Sequence, residues 1–167
     1  MKNVNIYLIT FLIVSALVFS CNSTEKDLEK SYDKVIVQKS GYDSTKAQAY
    51  GADKYGMKKY VIAFLKRGPN RDHDSSVAAA LQKAHLENIG KMVEAGQLVL
   101  AGPFFGDGDL RGIYVFNVQS IAEAEALTNT DPAIQAGSLV MELKEWYGSA
   151  ALMEVKDIHS TLAQEEI

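Results

Sequence analysis

Ala84-His85-Leu86-Glu87-Asn88-Ile89-Gly90-Lys91-Met92-Val93-Glu94-Ala95-Gly96-Gln97-Leu98-Val99-Leu100-Ala101-Gly102-Pro103-Phe104 reads as the end of a helix, a glycine stop and a buried strand. Going backward, Ala78, Leu81, His85, Ile89 and Met92 recur at three- and four-residue spacing, which predicts one apolar helical stripe with a histidine in its buried row. Asp72, Asp74, Ser75 or Ser76 can cap that helix. Gly96 stops it where a left-handed residue is cheapest. Leu98 to Ala101 follows as the second strand, and Gly102-Pro103 interrupts it.

The flanking segments supply the remaining elements. Met57 to Lys66 holds Tyr60-Val61-Ile62-Ala63-Phe64-Leu65, a β-branched and aromatic run ended by the turn residues Gly68-Pro69-Asn70, and gives strand one. Gly106-Asp107-Gly108-Asp109 is a hairpin connection, with Asp-Gly the signature of a tight turn rather than a calcium loop. Ile113 to Val118 is strand three. Ser120 caps a helix from Ile121 to Thr128 with Glu123 in its first turn, and Asp131-Pro132 ends that unit. Leu139 to Tyr147 alternates Leu139, Met141 and Leu143 with Glu142 and Lys144, and gives strand four.

The order β-α-β-β-α-β predicts an α+β, ferredoxin-like subunit: a four-stranded antiparallel sheet with two helices on one face. Strands one and three are apolar on both faces, with Tyr60, Ile62 and Phe64 against Val61, Ala63 and Leu65, and Ile113 and Val115 against Tyr114, Phe116 and Val118. Two helices cover one face only, and an apolar sheet face exceeds what a monomer leaves bare. A second copy, sheet against sheet, is the expected cover. The alternative is the tail after Gly148, where Ala150, Leu152, Met153, Val155 and Ile158 can pack.

The 167 residues, 47% hydrophobic and 23% charged, suit one globular domain with extensions. The formal charge of −4, with scattered basic residues, argues against a nucleic-acid partner. Residues 1–20 combine Lys2, the apolar run from Ile6 to Phe19 and a small residue, Ser20, before the single cysteine, Cys21. That run is shorter than the roughly 20 residues of a membrane span, and it resembles a bacterial lipoprotein signal peptide with Cys21 as the lipidated residue. The expectation is a chain anchored to the bacterial cell envelope by lipid, on the periplasmic or surface side. Residues 21–56 are polar and read as a tether, 57–155 as the domain and 156–167 as a C-terminal tail.

With this order of elements, His85, Gly96, Ala101-Gly102-Pro103, Gly112, Asp131-Pro132 and Gly137 form a spaced set that resembles the YCII-related (YciI-like) family of the dimeric α/β barrel superfamily. The resemblance covers about residues 57 to 155. It implies a ferredoxin-like subunit, a two-sheet homodimer, and an active site containing a histidine and an aspartate, which fall here on His85 and Asp131. Ala133 and Ile134 follow Asp131-Pro132, where many relatives carry an aromatic residue, and the lipoprotein leader is an addition to the usual domain.

A histidine beside a carboxylate is a recurring general base, because the acid fixes the imidazole's tautomer and orientation. Such a pair can remove a proton next to a carbonyl or assist loss of a leaving group. The family includes a dehydrochlorinase-like activity, so the expected enzyme is a lyase or isomerase acting on a small organic acid. Two plainer readings stand beside it: a buried histidine satisfied by Asp131, and a cleft that binds a small ligand without turnover. Asn88, at i+3 from His85, and Tyr60 are candidate lining residues. His73 between Asp72 and Asp74 is better read as part of a capping turn than as a metal site, and His159 as a residue of a polar tail. Trp146 and Tyr147 are expected to close the barrel. Serine- and cysteine-hydrolase motifs and a phosphate-binding glycine loop are absent from the sequence, and no cofactor is expected.

Overall fold

The alternation of strand one is met by both neighbours, with a register shift toward one of them between Leu65 and Lys66, and this fixes where the helices lie. The computed structural model describes residues 41–165, so the expected leader, Cys21 and the first part of the tether lie outside the described residues. In chain order the elements are α1 (Ser44–Ala49), β1 (Met57–Arg67), α2 (Ser75–Glu94), β2 (Leu98–Pro103), β3 (Leu110–Phe116), α3 (Ile121–Thr128), α4 (Pro132–Gln135), β4 (Leu139–Ser149), a 3-10 turn (Ala150–Glu154) and α5 (Val155–Leu162). The strands lie in the order β2-β3-β1-β4, every neighbouring pair antiparallel. The subunit is α+β and ferredoxin-like, as expected.

Val61, Ala63 and Leu65 of β1 sit opposite Phe116, Tyr114 and Gly112 of β3. This face is the core: Val61, Ala63, Leu65, Tyr114 and Phe116 are buried together with Met92 of α2, Leu98 of β2 and Ala124 of α3. Helix α2 lies against β2 and α3 against β4. Gly96, with φ of 69°, closes α2 in a Schellman turn, its N–H donating to Val93 O and that of Gln97 to Met92 O. Ser120 Oγ accepts from Glu123 N at the start of α3, the cap its sequence predicts, and Glu123 Oε2 accepts from Gln119 N.

Several elements differ from the sequence expectation, β3 among them, which runs from Leu110 to Phe116 rather than from Ile113 to Val118. Strand β2 runs on through Gly102 to Pro103, because β2 is an edge strand, where proline removes no needed donor. Strand β4 continues to Ser149 and pairs along the whole of β1, from Met57 opposite Ser149 to Arg67 opposite Leu139. The polar stretch before β1 contains helix α1, where Tyr50 Oη donates to Glu154 Oε1 at 3.0 Å and Lys46 pairs with the same carboxylate. Asp53 then caps the turn into β1 by accepting from Tyr55 N and Met57 N, and takes the Tyr147 hydroxyl.

The second sheet face holds Tyr60, Ile62 and Phe64 of β1 and Ile113 and Val115 of β3. The chain's own tail covers one end of it: Tyr60 Oη donates to Ser149 O, and Lys58 Nζ approaches Met153 Sδ and the Tyr60 ring. Ile62, Phe64 and Ile113 stay half-buried, and Val140 and Trp146 at the β4 edge are exposed. Among the described residues no helix is long and apolar enough to cross a membrane.

Candidate active site

His85 lies on the row of α2 that its spacing predicts and is 8% exposed; Met92 is buried with it, Leu81 and Ile89 are half-buried, and Ala78 is exposed. Its ring meets the loop after α3, where Asp131 is fully buried. His85 Nδ1 lies 2.6 Å from Asp131 Oδ2. The other carboxylate oxygen, Oδ1, accepts from Ala133 N at 2.8 Å, so Asp131 is also the N-cap of α4, with Pro132 at its first position. Sequence reading took Asp-Pro as the end of a unit. It is also the beginning of the short helix that aims the carboxylate.

The loop carrying Asp131 is itself pinned to the start of the β1–α2 connection. Gly68 N and Arg71 Nη1 donate to Ser138 O, Asn70 N to Gly137 O, and Asn70 Nδ2 to Ala136 O. A Cβ on Gly68 would stand 2.1 Å from Gly137 O, which is why the two loops can touch only with glycine there. His73 joins this latch, its Nε2 2.8 Å from Ser138 Oγ, and stands apart from the His85 pair.

On its other side His85 meets Tyr114 of β3, which the sequence marks only as part of an apolar strand face with Phe116 and Val118. The Tyr114 hydroxyl is 3.3 Å from His85 Nε2, and the rings stack at 22° with centroids 6.2 Å apart. Tyr114 has alanine on both sides in the sheet, Ala63 of β1 and Ala101 of β2, which leaves width for its ring. Phe116 meets it edge-on with centroids 5.7 Å apart. Burial, and then the Asp131 charge, push the Tyr114 hydroxyl well above the usual phenol range, so it remains a protonated donor.

The partners fix the roles of the ring nitrogens. An ionised carboxylate only accepts, so Nδ1 carries a proton and donates to Asp131; in the neutral ring the lone pair is then on Nε2, toward Tyr114. A neutral imidazole oriented in this way by an acid is the form a general base requires.

Of the two lining candidates, Asn88 lies beside the pair, its Oδ1 3.1 Å from Thr130 Oγ1, adjacent to Asp131. Tyr60 faces the opposite side of the sheet against Trp146 and does not join. Trp146 packs there, on the second face, and Tyr147 is tied to Asp53. His159 is on exposed α5.

Against known proteins, the YCII-related domain matches residues 57–147, more than half of the chain. No curated protein matches. Among solved structures, the chain is similar to 5-chloro-2-hydroxyhydroquinone dehydrochlorinase from Burkholderia phenoliruptrix AC1100 in complex with 2,5-dihydroxybenzoquinone. That likeness has a TM-score of 0.40 and 19% identity, and covers 52% of this chain and 92% of the other.

Proposed function

The chain belongs to the YCII-related domain family, and from that premise we propose that His85 and Asp131 form the general-base site of a lyase- or isomerase-type enzyme acting on a small organic acid. The observation that carries the reading is the buried 2.6 Å contact between His85 Nδ1 and Asp131 Oδ2. With Nδ1 donating to Asp131, the neutral form of the ring has its lone pair on Nε2. In the proposed step Nε2 takes a proton from the substrate carbon next to a carbonyl. The electron pair left behind moves toward that carbonyl or expels a leaving group, and Asp131 stabilises the imidazolium that forms.

The test is turnover of a panel of small unsaturated and chlorinated acids by the purified protein. His85→Ala is expected to lower kcat about a hundredfold or more with fold and ligand affinity retained. A second reading, a ligand-binding or structural module, is favoured by the way both imidazole nitrogens and both Asp131 oxygens already have protein partners. Ligands that bind without turnover, or turnover indifferent to His85→Ala, would establish that reading instead.

The proposed assembly is a homodimer through the second sheet face, supported by half-buried Ile62, Phe64 and Ile113 and by exposed Val140 there. Phe64→Lys is expected to leave a folded monomer at micromolar concentration by sedimentation. A wild-type monomer in the same experiment would end the dimer proposal. The proposed location is the bacterial envelope, with Cys21 lipidated. Detergent partitioning that is unchanged in Cys21→Ala would count against it.

A further inference from the structure

The nitrogen that the proposed reaction needs is not free. His85 Nε2 stands 3.3 Å from the Tyr114 hydroxyl, and among the described residues no other acceptor bonds that hydroxyl. A buried hydroxyl keeps whatever partner it has, since leaving it unpaired costs free energy. The ring is held in place: Phe116 braces its edge, and Tyr114 is 2% exposed. Yet 3.3 Å is long for a hydroxyl hydrogen bond, whose usual length is about 2.7–2.8 Å. The contact is loose enough to be exchanged for a better one.

We propose that Tyr114 caps Nε2 of His85 at rest, so that a ligand reaches the base only by offering the Tyr114 hydroxyl another acceptor. This inference rests on the reading of Nε2 as the working nitrogen. It also narrows the ligand class to molecules that carry an acceptor oxygen, as in a carbonyl or carboxylate, beside the proton they give up. As the ligand's C–H bond breaks and the Nε2–H bond forms, the electron pair moves onto that oxygen. There the Tyr114 O–H, already oriented, donates to the charge that develops. The hydroxyl keeps its own proton throughout.

The full chain is treated with diethyl pyrocarbonate, which acylates unprotonated imidazole nitrogen, and labelling is followed peptide by peptide, with His73 and His159 as internal references. Tyr114→Phe is expected to speed labelling at His85 about two- to tenfold, the range set by losing one neutral hydrogen bond, with the references unchanged. An unchanged rate at His85 overturns the proposal. So does a parallel rise at all three histidines, because that reports general loosening. A second measurement needs no variant: in the ¹⁵N-labelled wild type, the Nε2 resonance is expected displaced from that of a free unprotonated ring nitrogen, and a free-nitrogen value overturns the proposal. Both measurements read the Tyr114 contact whether or not turnover is found. They therefore fail separately from the His85→Ala test of the base.

Discussion

Each face of the sheet carries a cluster of ionisable groups, and burial makes them opposites. On the core face, His85, Asp131 and Tyr114 form a short chain in which each polar atom has one partner and almost no water. On the second face, Lys66 of β1 and Lys144 of β4 converge on Glu142, with Lys144 Nζ 2.7 Å from the carboxylate. The second cluster holds more formal charge, yet its side chains are 38%, 60% and 41% exposed for Lys66, Lys144 and Glu142, so water can replace any partner lost. Burial, rather than the number of charges, decides which cluster constrains the fold and is fit for chemistry.

The largest expected difference comes from removing the acid on each side. Asp131→Ala strips a charge-assisted hydrogen bond from His85 and the N-cap from α4, and is expected to cost about 3 kcal/mol in urea unfolding. Glu142→Ala is expected to shift the same transition within experimental error. Equal losses in the two variants would break the comparison.

A smaller effect tests how the buried cluster is held from a distance. Gly68→Ala places a Cβ 2.1 Å from a backbone oxygen that cannot rotate away, so the β1–α2 loop and the loop carrying Asp131 must part. The expected cost is about 1–3 kcal/mol, as for other overpacked sites. If the latch positions Asp131, the His85 labelling rate also changes. A stability loss with unaltered labelling would confine Gly68 to packing.

These outcomes track what could be read in advance. His85 was legible because a helical period places it among Leu81, Ile89 and Met92, and periodicity reports which row is buried. Asp131 emerged only through family resemblance, although Asp-Pro is also the signature of an N-cap followed by a first-turn proline. The period of β3 puts Tyr114 on one face with Phe116, but which face meets the helices, and the partner of its hydroxyl, depend on how α2 lies on the sheet, which no local pattern encodes. The same holds for Tyr50 and Glu154, 104 residues apart. The four strands and two main helices were legible because each follows from its own sequence period, whereas α1, α4 and the run-on of β2 depend on neighbours: a docking carboxylate, a capping aspartate and an edge position.

The smallest prediction concerns the exposed cluster alone. Lys144 first, and Lys66 with it, hold the Glu142 carboxyl down to about 2, against an ordinary value of 4.5. A folded-state value below the unfolded one means that its stabilising contribution is present above pH 4.5 and is lost as pH falls through about 2. Carboxyl ¹³C titration is therefore expected to show a midpoint of about 2 for Glu142, rising in both Lys144→Met and Lys66→Met. In the subunit on its own, where the group is solvated, about 1 M salt, with a Debye length near 3 Å, is expected to raise that midpoint. The thermal transition should scarcely notice either substitution. A midpoint insensitive to salt would mean that water is excluded from Glu142, as it would be if a second copy covered this face. The titration therefore also gauges how much of the second face is open in solution.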